Sequence, residues 1–258
     1  MSESYQPPLE LLQGIERLST ATPEGTRIGF GRHGEVPTNV LKGQRYQDQD
    51  GRWHTSQGRR FNGGYNPESL TLLGTRQAPE LGTEMARCFR ALGVTKVRLR
   101  SSKAPRAVET ALLARGRTLL VPGIIISDIE RRAGLGERNH GKLTGELIKE
   151  TFAADPELHA ASRDNRFRYP GTDAKGRPGE SIDDISIRLV EEVYEAVTFA
   201  PYDPTAMTVD IFHGLAGQTL KRVLLTGTLT NEYQEMTIPN GSLCVLQFLG
   251  GRWTELTV

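Results

Sequence analysis

Apolar residues recur along this chain with two different periods, and the two alternate from one end to the other. Short apolar runs typical of strands occur at 27–30, 94–100, 121–126, 208–212, 243–249 and, as an edge-strand candidate, 253–258. Helical spacing predicts helices over 9–15, 71–92, 104–113, 146–154, 182–197 and 216–225. Pro79 and Gly82 fall inside the second helix, where we expect a bend or a break.

Strands that alternate with helices are typical of a mainly parallel sheet covered on both faces. We therefore predict the α/β class, as a three-layer α/β/α sandwich with a mainly parallel central sheet. Residues 1–26 are interpreted as a peripheral N-terminal segment, and residues 27–258 as a single domain. Polar, aperiodic insertions are expected near 41–60 and 155–180, and loops of such length are usually functional or disordered.

The balance of charge argues against one class of protein. The chain has 32 basic and 31 acidic residues and a net charge of +1, unlike a nucleic-acid binder that depends on a large positive field. No apolar run approaches the roughly 20 residues of a membrane span, and no secretory signal is visible. Cys88 and Cys244 belong to no CxxC pair and are interpreted as reduced thiols. We predict a cytoplasmic protein with neither nucleic acid nor membrane as a partner.

Chemistry-bearing residues follow two of the predicted strands. Arg32 and His33 come directly after the first strand, and His213 directly follows 208–212. Ligands of parallel sheets bind beyond the carboxyl ends of the strands. Arginine binds phosphate with a planar, permanently charged fork, and histidine can attack it through an unprotonated ring nitrogen. For an isolated Arg-His pair we would favour the simpler interpretation, in which Arg32 forms a cap or a salt bridge and His33 is a core histidine. The rest of the chain has to decide.

Further motifs occur in a fixed order. They are Arg32-His33-Gly34-Glu35 with Asn39, Ser101-Ser102 with Arg106-Ala107 and Thr110-Ala111, Glu137-Arg138 with Gly141 and Gly145, Gly179-Glu180-Ser181 with Arg188, and Phe212-His213-Gly214. Together they resemble the phosphoglycerate mutase-like histidine phosphatase superfamily, in the branch with RHG and late HG motifs, over about residues 27–249. The resemblance implies a phosphoglycerate mutase-like fold and makes 27–258 the catalytic domain.

The resemblance also implies roles for individual residues. His33 is the expected nucleophile, which forms a phosphohistidine, and His213 is a protonated donor to the transferring group. Arg32, Asn39, Arg106 and His213 are expected to bind the phosphate. Glu137 matches the position of the acid that protonates the leaving group, and Glu35 is the rival acid.

The remaining predictions concern contacts with the substrate and the polar residues of the loops. Glu35, Arg138, Phe61 and Tyr65 are candidate substrate contacts. His54, His140 and His159 are expected on the surface or in loops. The loop arginines are expected to be solvated, except that one or two could reach a second anionic group of the substrate; they are Arg59, Arg60, Arg163, Arg166, Arg168 and Arg177. With no HExxH motif or closely spaced carboxylates, we predict no metal and no cofactor.

Departures from the family pattern favour a phosphatase over a mutase. The stretch between Asn39 and Phe61 is longer than in a typical mutase, and Val36 replaces the usual hydroxyl residue. No lysine matches the phosphoglycerate-binding position, because Lys149 is one residue away. We predict a phosphatase acting on a small phosphorylated metabolite. The first alternative is a mutase-type phosphoryl transferase, and the second, less favoured one is a non-catalytic binding module. The sequence does not identify the substrate or decide whether the protein forms a homo-oligomer.

Overall fold

The computed structural model describes residues 5–61, 69–229 and 236–257. Its strands are β1 (Arg27–Arg32), β2 (Arg45–Gln47), β3 (Trp53–Thr55), β4 (Lys96–Ser102), β5 (Ile125–Ile126), β6 (Glu130–Arg132), β7 (Ala206–Phe212), β8 (Leu243–Leu249) and β9 (Arg252–Leu256). Its helices are α1 (Leu9–Ala21), α2 (Leu72–Leu92), α3 (Pro105–Thr118), α4 (Ile148–Ala154), α5 (Pro156–Ala161), α6 (Ile182–Thr198) and α7 (Gly214–Thr226).

A mainly parallel mixed sheet forms the centre of the molecule. Within the described residues its strand order is β5-β4-β7-β1-β8-β9, and β6 pairs with β4 as well. Strands β4, β7 and β1 run parallel to one another. Strand β8 pairs antiparallel with β1, and β9 pairs antiparallel with β8 at one end of the strand order. This arrangement confirms the predicted α/β class and places β9 at an edge.

Each face of the sheet carries its own hydrophobic core because side chains alternate along a strand. Ile28 and Phe30 of β1 join the core formed with α1, α6 and α7. Val209 and Ile211 of β7 join the opposite core, formed with α2 and α3. The helices therefore cover both faces, which gives the three-layer sandwich.

The N-terminal segment contributes to the first of these cores. Leu11 and Leu18 of α1 are 0% and 1% exposed and lie in the same cluster as Leu189 and Val193 of α6. The amphipathic spacing found in the sequence thus buries one face of α1 against the body of the domain.

Several elements differ from the sequence predictions. Helix α2 is continuous through Pro79. Only Ile125–Ile126 of the expected strand 121–126 pairs with β4, because a turn at Gly123, with φ of 84°, comes first. Strand β6 is missed because it is charged, and helix α5 because its six residues lie within a polar loop.

The insertion near 41–60 contains a small hairpin that the aperiodic sequence did not reveal. Strands β2 and β3 pair antiparallel as a separate two-stranded sheet. The Arg45 guanidinium lies 4.6 Å from the Trp53 ring, and Tyr46 stacks on His54. Polar and aromatic cross-strand pairs stabilise this hairpin, so no apolar alternation marks it.

Across the described ranges, none of the helices has both the length and the apolar character that crossing a membrane requires.

Candidate active site

Three adjacent parallel strands end level with one another at the site. Arg32 of β1 is the register partner of Phe212 of β7, so the next residues, His33 and His213, lie side by side. The His33 amide also donates to the Phe212 carbonyl at 3.0 Å. As a result, the two imidazole centroids are 5.2 Å apart with an interplanar angle of 65°. The sheet thus joins two histidines that are distant in sequence.

His33 is held in one tautomer by its two hydrogen bonds. Its Nδ1 lies 2.7 Å from the Gly34 carbonyl, and its Nε2 accepts from Arg106 Nε at 3.2 Å. A guanidinium only donates, so the proton is on Nδ1 and the lone pair on Nε2. Burial and the charge of Arg106 lower the pKa of His33 well below 6.5. The ring is therefore neutral, and its Nε2 carries the lone pair that a nucleophile needs.

His213 is also neutral in this arrangement. Its Nδ1 lies 3.2 Å from Arg106 Nη2 and its Nε2 lies 2.8 Å from Ser102 Oγ, so Nδ1 accepts and Nε2 donates. Burial, Arg106 and the neighbouring His33 lower its pKa well below 6.5. The doubly protonated form implied by the resemblance would need a nearby anion to stabilise it.

Arg106 lies between the two imidazoles because of how α3 begins. Two residues separate β4 from Pro105, the first residue of α3, and Arg106, the next residue, is 1% exposed. One turn later, Thr110 Oγ1 donates to the Arg106 carbonyl at 2.7 Å and accepts from the Gly34 amide at 3.0 Å. Helix α3 thereby fixes the loop after β1 against the arginine.

Arg32 supplies a second guanidinium with an unused donor. Its Nη1 donates to the Ile238 carbonyl at 2.9 Å, while its buried Nε has no partner within the described residues. Burial lowers the pKa of Arg32, and the charge of Glu137 partly offsets that effect. A buried donor without an acceptor costs free energy, so this atom marks a place where an anionic oxygen would bind favourably.

Asn39 lies in the loop after β1. It is hydrogen-bonded to Asn240, a residue that the sequence analysis did not single out. Asn39 Oδ1 accepts from the Val36 amide and from Asn240 Nδ2, each at 3.2 Å. Asn240 Nδ2 also donates to the His33 carbonyl at 2.9 Å. The Pro239-Asn240-Gly241 turn was a visible signal of a loop, but nothing in it indicated a contact with His33.

Glu137 reaches the site through the first turn of α7. Its Oε1 accepts from the amides of Arg138 at 3.0 Å and Ala216 at 3.1 Å, and its Oε2 accepts from the Leu215 amide at 3.2 Å. Helix α7 begins directly after His213, so these bonds bring the predicted acid to the element that carries the second histidine.

Glu35, the rival acid, binds a different helix. Its Oε1 accepts from Thr71 Oγ1 at 2.9 Å, and its carbonyl accepts from the Thr71 amide, also at 2.9 Å. These contacts hold Thr71, whose hydroxyl caps the start of α2 by accepting from the Gly74 amide. The two candidate acids are therefore held by the N-termini of separate helices, and Glu137 is the one next to the HG motif.

Two of the other residues predicted to contact the substrate are buried and packed against protein groups. Arg138 is 3% exposed and donates to the carbonyls of Glu180 and Phe167. Phe61 is 2% exposed, and its ring centroid is 5.1 Å from that of His140. Tyr65 lies outside the described residues.

His140 lies in a loop, as predicted, but it is buried and not on the surface. It is 9% exposed, and its ring centroid lies 4.7 Å from that of Tyr169. Burial and the charge of Arg138 lower its pKa to about 3. The polar sequence around it gave no sign that aromatic residues from separate loops would meet there.

A cavity of about 580 Å³ adjoins the histidine cluster through Ser102 and Glu137. Its other lining residues come from the β4–α3 connection, the loop after β6, the loop before α6, and α6 itself; they are Lys103, Ala104, Pro105, Ala133, Gly136, Asn139, Lys175, Arg177, Pro178, Glu180 and Arg188. Its volume falls within the range of small-molecule sites.

Residues 28–258 match the family model of the histidine phosphatase superfamily (branch 1). The chain belongs to this superfamily. The match includes the strand ends that carry His33 and His213, and it confirms the family inferred from the sequence motifs. No curated protein matches the chain.

Solved structures of two phosphatases share the fold. A mycobacterial glucosyl-3-phosphoglycerate phosphatase in complex with VO3 is 24% identical, with a TM-score of 0.64 over 89% of this chain and 96% of that one. The alpha-ribazole phosphatase from Shigella flexneri is 19% identical, with a TM-score of 0.61 over 90% and 96%. At such identities the comparison establishes the common architecture.

Proposed function

We propose that this protein is a phosphatase that hydrolyses a phosphate monoester of a small metabolite through a phosphohistidine on His33. The observation that carries the proposal is an unprotonated His33 Nε2 beside Arg106, with a buried donor on Arg32 that has no partner among the described residues. A phosphate dianion would satisfy that donor and balance the guanidinium charges. Membership of the superfamily, and the phosphatases that share the fold, support the same activity.

In the first step, the His33 Nε2 lone pair forms a bond to phosphorus while the bond from phosphorus to the ester oxygen breaks. Arg32 and Arg106 bind the non-bridging oxygens and stabilise their charge in the transition state. Glu137 passes a proton to the departing oxygen, which leaves as an alcohol.

In the second step, water attacks the phosphohistidine. Glu137, now ionised, accepts a proton from the water as its oxygen bonds to phosphorus. The bond to His33 Nε2 breaks, the electron pair returns to the ring, and inorganic phosphate leaves. The reaction restores the neutral His33 and needs neither metal nor cofactor.

His213 and Asn39 are proposed to assist by binding the phosphoryl oxygens. Arrival of the dianion next to His213 favours the charged imidazole, so phosphate binding would be accompanied by proton uptake. Asn39 would donate through its amide nitrogen, since its Oδ1 already accepts from Val36 and Asn240.

We also propose that the protein works in the reducing cytoplasm. Cys88 and Cys244 are buried free thiols, and burial raises their pKa to about 11 and about 12. Both groups are therefore protonated and unreactive at neutral pH, and stay reduced without a disulfide partner.

The test is phosphate release from p-nitrophenyl phosphate and from glycerol 3-phosphate in EDTA, with intact-mass detection of the phosphoenzyme after an alkaline quench. The intact protein should release phosphate and show a phosphoenzyme that His33→Ala lacks. His54→Ala, on the exposed hairpin strand β3, is the matched control and should keep both properties.

Two results would overturn the proposal. Full activity of His33→Ala in EDTA would exclude a mechanism that passes through a phosphohistidine on His33. Isomer interconversion of phosphoglycerate that greatly exceeds phosphate release, and requires a bisphosphate primer, would make the protein a mutase instead.

A further inference from the structure

The guanidinium of Arg188, on α6, binds the backbone of the loop that carries Glu137. Its Nη1 donates to the Gly134 carbonyl at 2.6 Å and to the Gly136 carbonyl at 2.9 Å, and its Nη2 donates to the Glu137 carbonyl at 3.2 Å. Three carbonyls of one short stretch thus converge on a single side chain. The backbone that leads to the proposed acid is therefore held by a helix that is distant in sequence.

Glu180 completes the set of partners of Arg188. Its Oε1 accepts from Arg188 Nε at 2.8 Å, and its Oε2 accepts from Nη2 at 3.1 Å. With the three carbonyls, these bonds match in number the five N–H groups of a guanidinium. Although Arg188 lines the cavity, its donors are therefore used by protein groups, and the side chain is suited to orienting them and not to binding an anion.

Glu180 also binds the chain on the other side of the acid. Its Oε2 accepts from the Asn139 amide at 2.8 Å, and its carbonyl accepts from Arg138 Nε at 2.9 Å. The backbone of Glu137 is thus fixed from both directions, by Arg188 up to residue 137 and by Glu180 just after it. The side chains of the Arg188–Glu180 pair are each only 23% exposed, so water and salt screen the pair less than a surface pair.

The loop approaches α6 closely because residue 134 is a glycine. A Cβ at this position would be 2.1 Å from Glu192 Oε1 and 2.7 Å from Glu192 Cδ. The Glu192 side chain is itself held, since its Oε2 accepts from Arg132 Nε at 2.9 Å and from Arg100 Nη1 at 3.4 Å. Helix α6 therefore supports the loop through Glu192 as well as through Arg188, and a methyl group at position 134 would push the loop away from it.

The place of the Glu137 carboxyl depends on this backbone. The carboxyl accepts from the amides of Leu215 and Ala216, which follow His213 in the first turn of α7. A shift of the loop away from α6 would carry the carboxyl away from these amides and from the second histidine. A general acid must lie within hydrogen-bond reach of the oxygen that it protonates, and a misplacement of about 1 Å can cost about 10²-fold in rate.

We propose that Arg188 is a positioning residue for the proton donor: paired with Glu180, its guanidinium fixes the loop so that the Glu137 carboxyl reaches the leaving oxygen. This role rests on the proposed function, in which Glu137 is the acid, and it requires no contact between Arg188 and the substrate. Lysine is a poor substitute, because an ammonium has three donors and lacks the planar fork that bridges three carbonyls and a carboxylate.

The experiment measures Arg188→Lys and the intact protein on two esters whose leaving groups differ in their need for a proton. Glycerol 3-phosphate has an alkoxide leaving group that must be protonated, whereas p-nitrophenyl phosphate releases a stable phenolate. We expect kcat/KM to fall by about 10- to 100-fold with glycerol 3-phosphate and by less than about threefold with p-nitrophenyl phosphate. A smaller folded fraction would lower both values by the same factor.

A double variant tests whether Arg188 acts through Glu137. Because Glu137→Gln already lacks the transferable proton, adding Arg188→Lys to it should lower kcat/KM for glycerol 3-phosphate by less than about a further threefold. If the two losses multiply in full, Arg188 acts independently of the acid and the proposal is overturned.

Gly134→Ala displaces the same loop and leaves the charge of Arg188 in place. It should also lower kcat/KM more with glycerol 3-phosphate than with p-nitrophenyl phosphate, by roughly tenfold. Arg17→Lys is the matched control, because Arg17 also pairs with a residue of α6, Glu191, but on the exposed surface. It should keep kcat/KM for both esters.

Equal losses with the two esters in Arg188→Lys, or no loss with either, would overturn the positioning role while the phosphatase activity stands. Absence of His33-dependent phosphate release from both esters in the intact protein would instead overturn the proposed function.

Discussion

The guanidinium of Arg32 lies directly against Gly214, the first residue of α7. A Cβ at position 214 would be 2.9 Å from Arg32 Cζ and 3.1 Å from its Nε. The absence of a side chain in the late HG motif is therefore what lets the first arginine lie beside His213.

Gly214→Ala should displace Arg32 and weaken phosphate binding. We expect kcat/KM for p-nitrophenyl phosphate to fall by about 10- to 100-fold, less than the loss expected when a transition-state donor is removed outright. Gly116→Ala is the control, since a Cβ there meets nothing within 4 Å. It should leave activity unchanged and stabilise α3 by about 0.5–1 kcal/mol. Equal kcat/KM of the two variants would show that catalysis does not depend on the present position of Arg32.

Glu137→Gln should separate proton donation from helix capping. The amide oxygen can still accept from the amides at the start of α7, but the side chain no longer carries a transferable proton. We expect kcat to fall by about 10²–10⁴-fold with an alkyl phosphate and far less with p-nitrophenyl phosphate, whose leaving group needs no proton. The same leaving-group dependence in Glu35→Gln, with none in Glu137→Gln, would identify the rival acid.

His140 should make the folded protein sensitive to acid. Its pKa is about 3 in the folded state, against about 6.5 in an unfolded chain, so between these values the unfolded state binds one more proton. The free energy of unfolding should therefore decrease as pH falls below about 6.5, by up to about 1.4 kcal/mol per pH unit from this residue.

The measurement is urea unfolding of the wild type and His140→Phe between pH 7.5 and pH 5. The wild type should lose stability relative to the variant as the pH falls, because phenylalanine binds no proton. A difference between the two proteins that stays constant over this range would contradict the prediction.

The buried ion pair below the site should stabilise the sheet. Arg100 and Asp210 are register partners on β4 and β7, both side chains are 0% exposed, and Arg100 Nε and Nη2 donate to Asp210 at 2.6 and 2.7 Å. Asp210→Ala should cost at most about 3–5 kcal/mol in urea unfolding, because Arg100 loses its fully buried partner but keeps Glu195 and Glu192 on Nη1.

Glu191→Ala provides the contrast for that measurement. The Glu191 side chain pairs with Arg17, and both are about half exposed. Such surface pairs contribute about 0–1 kcal/mol. If Asp210→Ala and Glu191→Ala lowered the free energy of unfolding by the same small amount, the buried pair would not have the structural importance inferred from its burial.

Local patterns in the chain were sufficient to predict the main elements and the residues at two strand ends. Strand β7 and helix α6 follow from apolar spacing, and His33 and His213 were recognisable because each follows an apolar run. Patterns of this kind depend on neighbours within a few residues, so they can be read without knowledge of the fold. Charged β6 and the hairpin of β2 and β3 were missed because ion pairs and aromatic contacts, not apolar alternation, stabilise them.

Contacts across long stretches of chain could not be read in this way. The order of β4, β7 and β1, together with their register, sets the distance between the imidazoles, places Arg106 between them and brings Ser102 to His213. The same applies to the contact of Glu137 with α7 and to the cations that line the cavity. Local periodicity is encoded in each segment, whereas the pairing of segments depends on which arrangement buries both faces of the sheet at once; the positions of these side chains follow from that global packing.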